Sequence, residues 1–266
     1  MNILYIGDIM GEAGMETVEA VLPGLVTERA VDLVIAQAEN VTEGRGMTLR
    51  DYERLKGAGV HAFTSGNWTL YREETNALLD DPAAPVTRPA NYPEGTPGKR
   101  YKFIDTPKGR VLLLSLLGSI VGKDADKPIT NALKCADDIL AGLKGEDLAA
   151  IIVNFHGDFS SEKRIIGYYL DGRVTAVIGD HWHVPTADAM LLPLGTAHIS
   201  DVGMCGALHS SLGIKLDSVV PRWRDNVQTR NELETEGPRQ FNAVFIQTKD
   251  DSLLSQSIQH IQIIRN

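Results

Sequence analysis

Cysteine is scarce in this 266-residue chain, where Cys135 and Cys205 are the only two. Neither has metal-ligand spacing and at most one bridge could form. A disulfide framework is therefore excluded, and a reducing, cytoplasmic compartment is expected. Long apolar runs are missing too. The longest, Val111 to Val121, is interrupted by Ser115, Gly118 and Ser119. It falls far short of the ~20 residues of a membrane helix, so no membrane partner is expected. The opening residues Met-Asn-Ile-Leu-Tyr-Ile carry no basic segment and no small-residue cleavage site, and no secretory leader is expected. Basic charge is in deficit: 26 Lys and Arg against 35 Asp and Glu leave −9. That balance argues against duplex nucleic acid as a partner. Small phosphorylated ligands stay admissible, because bound cations reverse charge locally.

What is present is enough for a sizeable core, at 43% hydrophobic residues. The first hundred residues alternate β-rich runs with amphipathic stretches. Strands are predicted at Asn2–Gly7, Val31–Ala36 and Ala62–Gly66, and helices at Glu16–Arg29, Leu49–Gly57 and Arg72–Asp80. Such alternation indicates parallel strands with helical crossovers. Thr87–Gly98, holding Pro89, Pro93 and Pro97, reads as a loop. Further on, Tyr101–Asp105 and Arg110–Leu117 flank a turn. Helices at Asn131–Leu143 and Glu162–Leu170 precede strands at Ala149–Phe155 and Val174–Gly179. The tail segments Phe241–Thr248 and Ser257–Ile264 alternate like antiparallel strands. One α/β domain with two sheets is the simplest arrangement.

Polar residues fall at telling places. Asp8 follows the first strand, Glu39 and Asn40 the second, and Asn67 the third. His156 ends the strand Ala149–Phe155, while His181 and His183 lie just past Val174–Gly179. The carboxyl ends of strands in open parallel sheets form the ligand crevice, so these groups should converge. Individually each has an ordinary explanation: Asp8 as a helix cap, Asn67 as a turn residue, a lone histidine as hydrogen-bonded scaffold. Together they form a set of carboxylates, carboxamides and imidazoles without thiolates. That composition favours Mn, Fe, Zn or Co. In His181-Trp182-His183, a spacing of two places both imidazoles on one side of an extended chain, with Trp182 opposite. Two divalent ions against two carboxylates leave about +2 for a bridging hydroxide and a phosphate oxygen, as phosphoester hydrolysis requires. A nucleotide-cofactor fold, hinted at by Gly7, Gly11 and Gly14, fails because Ile9 stands where a second glycine should admit pyrophosphate. It also gives the three histidines no purpose.

The segments Ile6-Gly7-Asp8, Ala38-Glu39-Asn40, Gly66-Asn67 and Arg88 to Gly98 bear a family likeness. So do Phe155-His156, Ser161-Glu162-Lys163, Asp171-Gly172-Arg173, His181-Trp182-His183-Val184, Thr186-Ala187-Asp188 and Asp201 to Met204. In this order the chain resembles the calcineurin-like metallophosphoesterases, and among them the YmdB-type bacterial cyclic-nucleotide phosphodiesterases. The resemblance runs nearly end to end and implies a single domain over residues 1–266. It implies a four-layer α/β/β/α sandwich, with two mixed sheets packed face to face and helices outside. It further implies two divalent metal ions. Asp8, Glu39, Asn40 and His183 would hold one, and Glu39 would bridge to a second held by Asn67, His156 and His181. Asn40 would replace the imidazole that most of the superfamily places where Met10 stands. Asp188 and Asp201 would orient metal-bound imidazoles through the other ring nitrogen. The substrates implied are small phosphodiesters such as 2′,3′- or 3′,5′-cyclic nucleotides, and some members are homo-oligomers.

One departure matters. The family reads Gly-Asn-His where this chain reads Gly66-Asn67-Trp68. Trp68 thus stands at a catalytic histidine position, and an indole N–H donates a hydrogen bond but exchanges no proton near neutral pH. Losing a positioned general acid costs ~10²- to 10⁴-fold. Aryl esters with good leaving groups should therefore survive better than nucleotides. If Trp68 is simply a pocket wall, the candidates for a substitute acid are Glu43, Asp158, His198 and His209, and Trp68 could instead stack on a nucleobase. The alternative is a catalytically impaired metal- or nucleotide-binding regulatory protein of the same fold. Arg88 is poised between touching an anionic substrate and bracing the proline-rich loop. His61 and His260 read as structural or exposed.

Overall fold

Period-two alternation in the first strands decides the architecture. In β1 (Asn2–Ile6), Leu4 and Ile6 point to one side and Ile3 and Tyr5 to the other, and all four are fully buried. β3 (Leu33–Gln37) repeats this with Val34 and Ala36 against Leu33 and Ile35. A strand buried on both faces needs a layer on each side. The computed structural model, which describes residues 1–122 and 125–266, supplies both.

Sheet one runs β2 (Asp8–Ile9), β11 (Met204–Ala207), β12 (Arg239–Thr248), β1, β3 and β4 (Ala62–Thr64), with β13 (Ser255–Arg265) also paired to β12. β1, β3 and β4 are mutually parallel, while β12 is antiparallel to β1 and β13. Sheet two runs β5 (Lys102–Thr106), β6 (Gly109–Leu117), β7 (Ala150–His156), β8 (Ala176–Asp180), β10 (Ala197–Ile199) and β9 (Met190–Leu191), parallel from β6 to β10. The sheets meet through Ile3, Tyr5 and Ile35 of one and Val111, Leu113, Ile152 and Ile178 of the other. Outside sheet one lie α1 (Gly11–Arg29), α2 (Leu49–Gly57) and α3 (Glu73–Asp80), burying Leu22, Leu55 and Leu78. Outside sheet two lie α4 (Ala132–Gly142) and α5 (Ser160–Tyr169), burying Ile139 and Ile166. These are the four layers of the α/β/β/α sandwich.

Several boundaries differ from expectation. Helix α1 begins at Gly11 rather than Glu16. Its early glycines resemble loop punctuation, but a Cβ on Gly14 would lie 2.5 Å from the Cys205 carbonyl oxygen. That glycine lets the helix press onto β11. Strand β8 ends at Asp180, one residue beyond the expected limit. β2, β9, β10, β11 and the helix α6 (Leu216–Asp225) were not anticipated. Both cysteines are free and buried. Among the described residues, no helix is long and apolar enough to cross a membrane.

Candidate metal centre

Both sheets deliver polar side chains to one edge of the sandwich. Asp8 lies in β2, Glu39 and Asn40 follow β3, and Asn67 follows β4. From sheet two come His156, the last residue of β7, and His181 and His183, just after β8. Ligand atoms of Glu39, His156 and His181 all lie within 4.8 Å of one another. His156 Nε2 is 3.0 Å from Glu39 Oε1 and 2.9 Å from Asn67 Oδ1. His183 Nε2 lies 3.7 Å from Asp8 Oδ1, and the His181 backbone N–H donates to Asp8 Oδ2 at 3.2 Å. Asn40 joins through the chain: its carbonyl accepts from Gly11 N–H at 3.0 Å, and its side-chain amide donates to the Gly44 carbonyl at 2.9 Å.

Gly66 makes the convergence sterically feasible. A Cβ there would sit 2.3 Å from His156 Cδ2, so only glycine lets the imidazole lie against the β4 loop. The His181-Trp182-His183 segment corrects the expectation of an extended chain. His181 and His183 have φ of 105° and 62°, a left-handed conformation that non-glycine residues adopt at a cost. The imidazoles reach the site through this turn rather than through strand alternation. The turn is strapped from behind. Asp201 accepts from the Trp182 N–H at 2.8 Å and from Lys163 Nζ at 3.1 Å, and Lys163 also donates to the Asp180 carbonyl. Trp182 donates its indole N–H to the Asp158 carbonyl, and Lys163 Nζ lies 4.5 Å from its ring centroid.

Burial and neighbouring charge set the protonation of the centre. Burial pushes the Asp8 carboxyl well above the usual carboxylate range, and Asp180 pushes it further. Burial acts the same way on Glu39, but His156 overcomes it and holds Glu39 low. Burial disfavours a charged His156, yet Glu39 and Asp180 raise its pKa well above the ordinary imidazole value. Burial lowers His181 and His183 to about 4, so both imidazoles keep free lone pairs at neutral pH. The carboxylates thus demand positive charge where His156 meets Glu39. Asp8 Oδ1 and Asn40 Oδ1 are buried without a hydrogen-bond partner among the described residues, an arrangement costly unless a ligand relieves it. Hard oxygens, imidazole nitrogens and orphaned acceptors together fit a divalent cation.

The residue orienting an imidazole is one the sequence pattern did not single out. Asp180 takes His156 Nδ1 at 2.7 Å, and also accepts from Tyr5 Oη at 2.9 Å, Gln37 Nε2 at 3.0 Å and Asn154 Nδ2 at 2.5 Å. Its signal was its place beside His181 at a strand end. Asp201 acts on the backbone of the histidine turn. Asp188 accepts from Thr186, Ser200 and Arg164 rather than from an imidazole. Of the four substitute acids, Asp158 reaches the site, 3.2 Å from His181 Nε2. Glu43 pairs with Arg72 at 3.1 Å. His198 is bonded to the Val177 carbonyl, and His209 lies in the bend that follows β11. Arg88 donates to the carbonyls of Pro89, Pro97 and Gly98, which makes it the brace of the proline-rich loop. His61 and His260 bond backbone groups of Val34 and Val202.

Trp68 enters the centre through its backbone, whose N–H donates to Glu39 Oε2 at 3.0 Å. Its indole stands edge-on to Tyr71 at 5.4 Å. With Tyr92, Pro93 and Lys127 it walls a cleft of about 550 Å³.

A family model described as YmdB-like protein matches residues 4–261. A 2′,3′-cyclic-nucleotide 2′-phosphodiesterase of Bacillus subtilis is 35% identical over 263 residues, covering 99% of this chain and 97% of the relative. Among solved structures, a phosphatase from Mycoplasma pneumoniae superposes with a TM-score of 0.91 at 29% identity. It covers 99% of this chain and 93% of its own. A hypothetical protein from Thermus thermophilus superposes at 0.89 and 33% identity, with both chains fully covered.

Proposed function

We propose that this chain, which belongs to the YmdB-like family, is a metal-dependent phosphodiesterase acting on small phosphodiesters such as 2′,3′- or 3′,5′-cyclic nucleotides. One observation carries the reading: Glu39, His156 and His181 place ligand atoms within 4.8 Å of one another, while Asp8 Oδ1 and Asn40 Oδ1, at the same edge of the sandwich, are buried without a hydrogen-bond partner among the described residues. In this proposal Asp8, Glu39, Asn40 and His183 hold one divalent ion, and Glu39, Asn67, His156 and His181 a second. When bound, such a pair lowers the pKa of water and stabilises charge on phosphoryl oxygens. The chain's own residues supply position. Asp180 fixes the His156 ring so that Nε2 faces Glu39 and Asn67. The Trp68 N–H on one Glu39 oxygen and the His156 ring on the other fix the orientation of that carboxylate. The Asp201–Lys163 pair keeps His181 and His183 turned inward.

Purified chain with Mn²⁺, assayed on a bis-aryl phosphate and on 2′,3′-cyclic AMP, tests this. Turnover lost on Asp8→Ala and Asn67→Ala is expected, and equal turnover in those variants would end the proposal. Trp68 favours a second reading, a binding protein with a silenced centre. It predicts no wild-type turnover but recovery in Trp68→His, whereas the phosphodiesterase reading predicts wild-type hydrolysis weighted toward aryl esters.

A further inference from the structure

Arg45 sits in the short loop after the β3 carboxylate. The loop is drawn tight by bonds from Arg45 N–H to the Thr42 carbonyl at 3.0 Å and from Gly46 N–H to the Glu39 carbonyl. The Arg45 carbonyl in turn accepts from Arg72 Nε at 2.8 Å. The backbone is pinned, and the side chain is placed by stacking. Its guanidinium carbon lies 4.6 Å from the Trp68 ring centroid and 5.6 Å from that of Tyr71. The acid nearest in the loop, Glu43, is engaged by Arg72. Among the described residues the Arg45 guanidinium makes no ion pair. Stacking occupies the face of the guanidinium and leaves its in-plane N–H edge for bidentate bonds to an oxyanion.

A second cation converges on the same ring. Lys127 Nζ lies 5.6 Å from the Trp68 centroid and donates to the Asn67 carbonyl at 2.8 Å. Trp68 therefore bears two positive charges on its ring while its backbone bonds Glu39.

We propose that Arg45, aimed by the Trp68 indole and assisted by Lys127, binds the phosphoryl oxygens of the phosphodiester and of its monoester product. This rests on the phosphodiesterase reading and deepens it. It gives Trp68 a task its indole can perform, as the platform for a cation at the place of the family's imidazole. The exchange is unequal. A guanidinium stabilises phosphoryl charge but gives up no proton, so the leaving oxygen goes unprotonated by this residue.

Calorimetric titration of inorganic phosphate into metal-free and Mn²⁺-loaded protein tests the clamp without relying on turnover. Arg45→Ala is expected to weaken phosphate binding roughly 10- to 100-fold, the range for hydrogen bonds to charged groups. Arg45→Lys should recover part of the loss, since charge returns without the planar fork. Trp68→Ala should weaken binding in the same direction by releasing the platform. If Arg45→Ala folds poorly, Arg45→Gln and Arg45→Lys carry the comparison at matched length. Phosphate affinity within twofold of wild type in the arginine variants, in both forms, overturns the clamp, as does a wild type that binds no phosphate. Failure of Mn²⁺ to bind or to alter phosphate affinity instead brings down the metal reading, because the metal-free titration still reads the arginine.

Discussion

The two sheets bring different chemistry to their shared edge. Sheet one supplies Asp8, within β2, and Glu39, Asn40 and Asn67, on the loops after β3 and β4, all oxygen donors and none of them at positive φ. Sheet two supplies His156, His181 and His183, all nitrogen donors, two of them on left-handed backbone strapped by Asp201 and Lys163. The oxygen side is positioned by where its strands end. The nitrogen side depends on a buried polar layer, and injuries to that layer should separate the two.

The largest effect should come from breaking the joint itself. Glu39→Ala and His156→Ala each remove the contact at which the halves meet. Each is expected to lose at least one bound ion per chain by elemental analysis, and to lose more activity than the ~10- to 100-fold typical of supporting residues. Unaltered metal content in either would show that the halves do not share a centre. Asp180→Asn comes next: metal affinity should fall by about 10- to 100-fold, whereas Asp188→Asn, which touches no imidazole, should leave it in place. Comparable losses in both would erase the distinction drawn between these carboxylates. Gly66→Ala should be smaller, destabilising by about 1–3 kcal/mol as an overpacked contact with His156, read as a lower melting temperature.

The smallest effect is one of pH. Burial raises the Asp188 carboxyl, but hydrogen bonds from Ser200 and Thr186 outweigh it and hold the group at about 2. A depressed folded-state pKa contributes stability above the unfolded value of ~4 that is lost as pH falls toward 2. The gap in urea midpoint between wild type and Asp188→Asn should therefore be constant from pH 7 to about 5 and shrink below 4. A gap that widens on acidification would reverse the assignment.

The oxygen half was legible in the sequence because strand, then donor, is a local pattern: Asp8, Glu39 and Asn67 each follow a β-rich run directly. The nitrogen half was legible in identity but not in geometry. Nothing local in His181-Trp182-His183 signals left-handed φ, which is imposed by Asp201 and Lys163 from elsewhere in the chain. Asp180 escaped notice because its four donors come from β1, β3 and β7, a contact set that no window of sequence contains. The short strands β9, β10 and β11 exist by pairing with longer neighbours, and two to four residues carry too little alternation to read. Helix α6 buries none of its residues and contains Pro221, so it lacked both an apolar face and a clean propensity signal.

The position of β12 between β1 and β11 has a consequence for biosynthesis. β1 is made long before its antiparallel neighbour Arg239–Thr248, and β11 reaches sheet one through that same strand. Asp8, paired through β2 to β11, therefore gains its surroundings only after that later strand has been made. A nascent polypeptide stalled before that strand emerges carries every donor residue and still lacks the frame that gathers them.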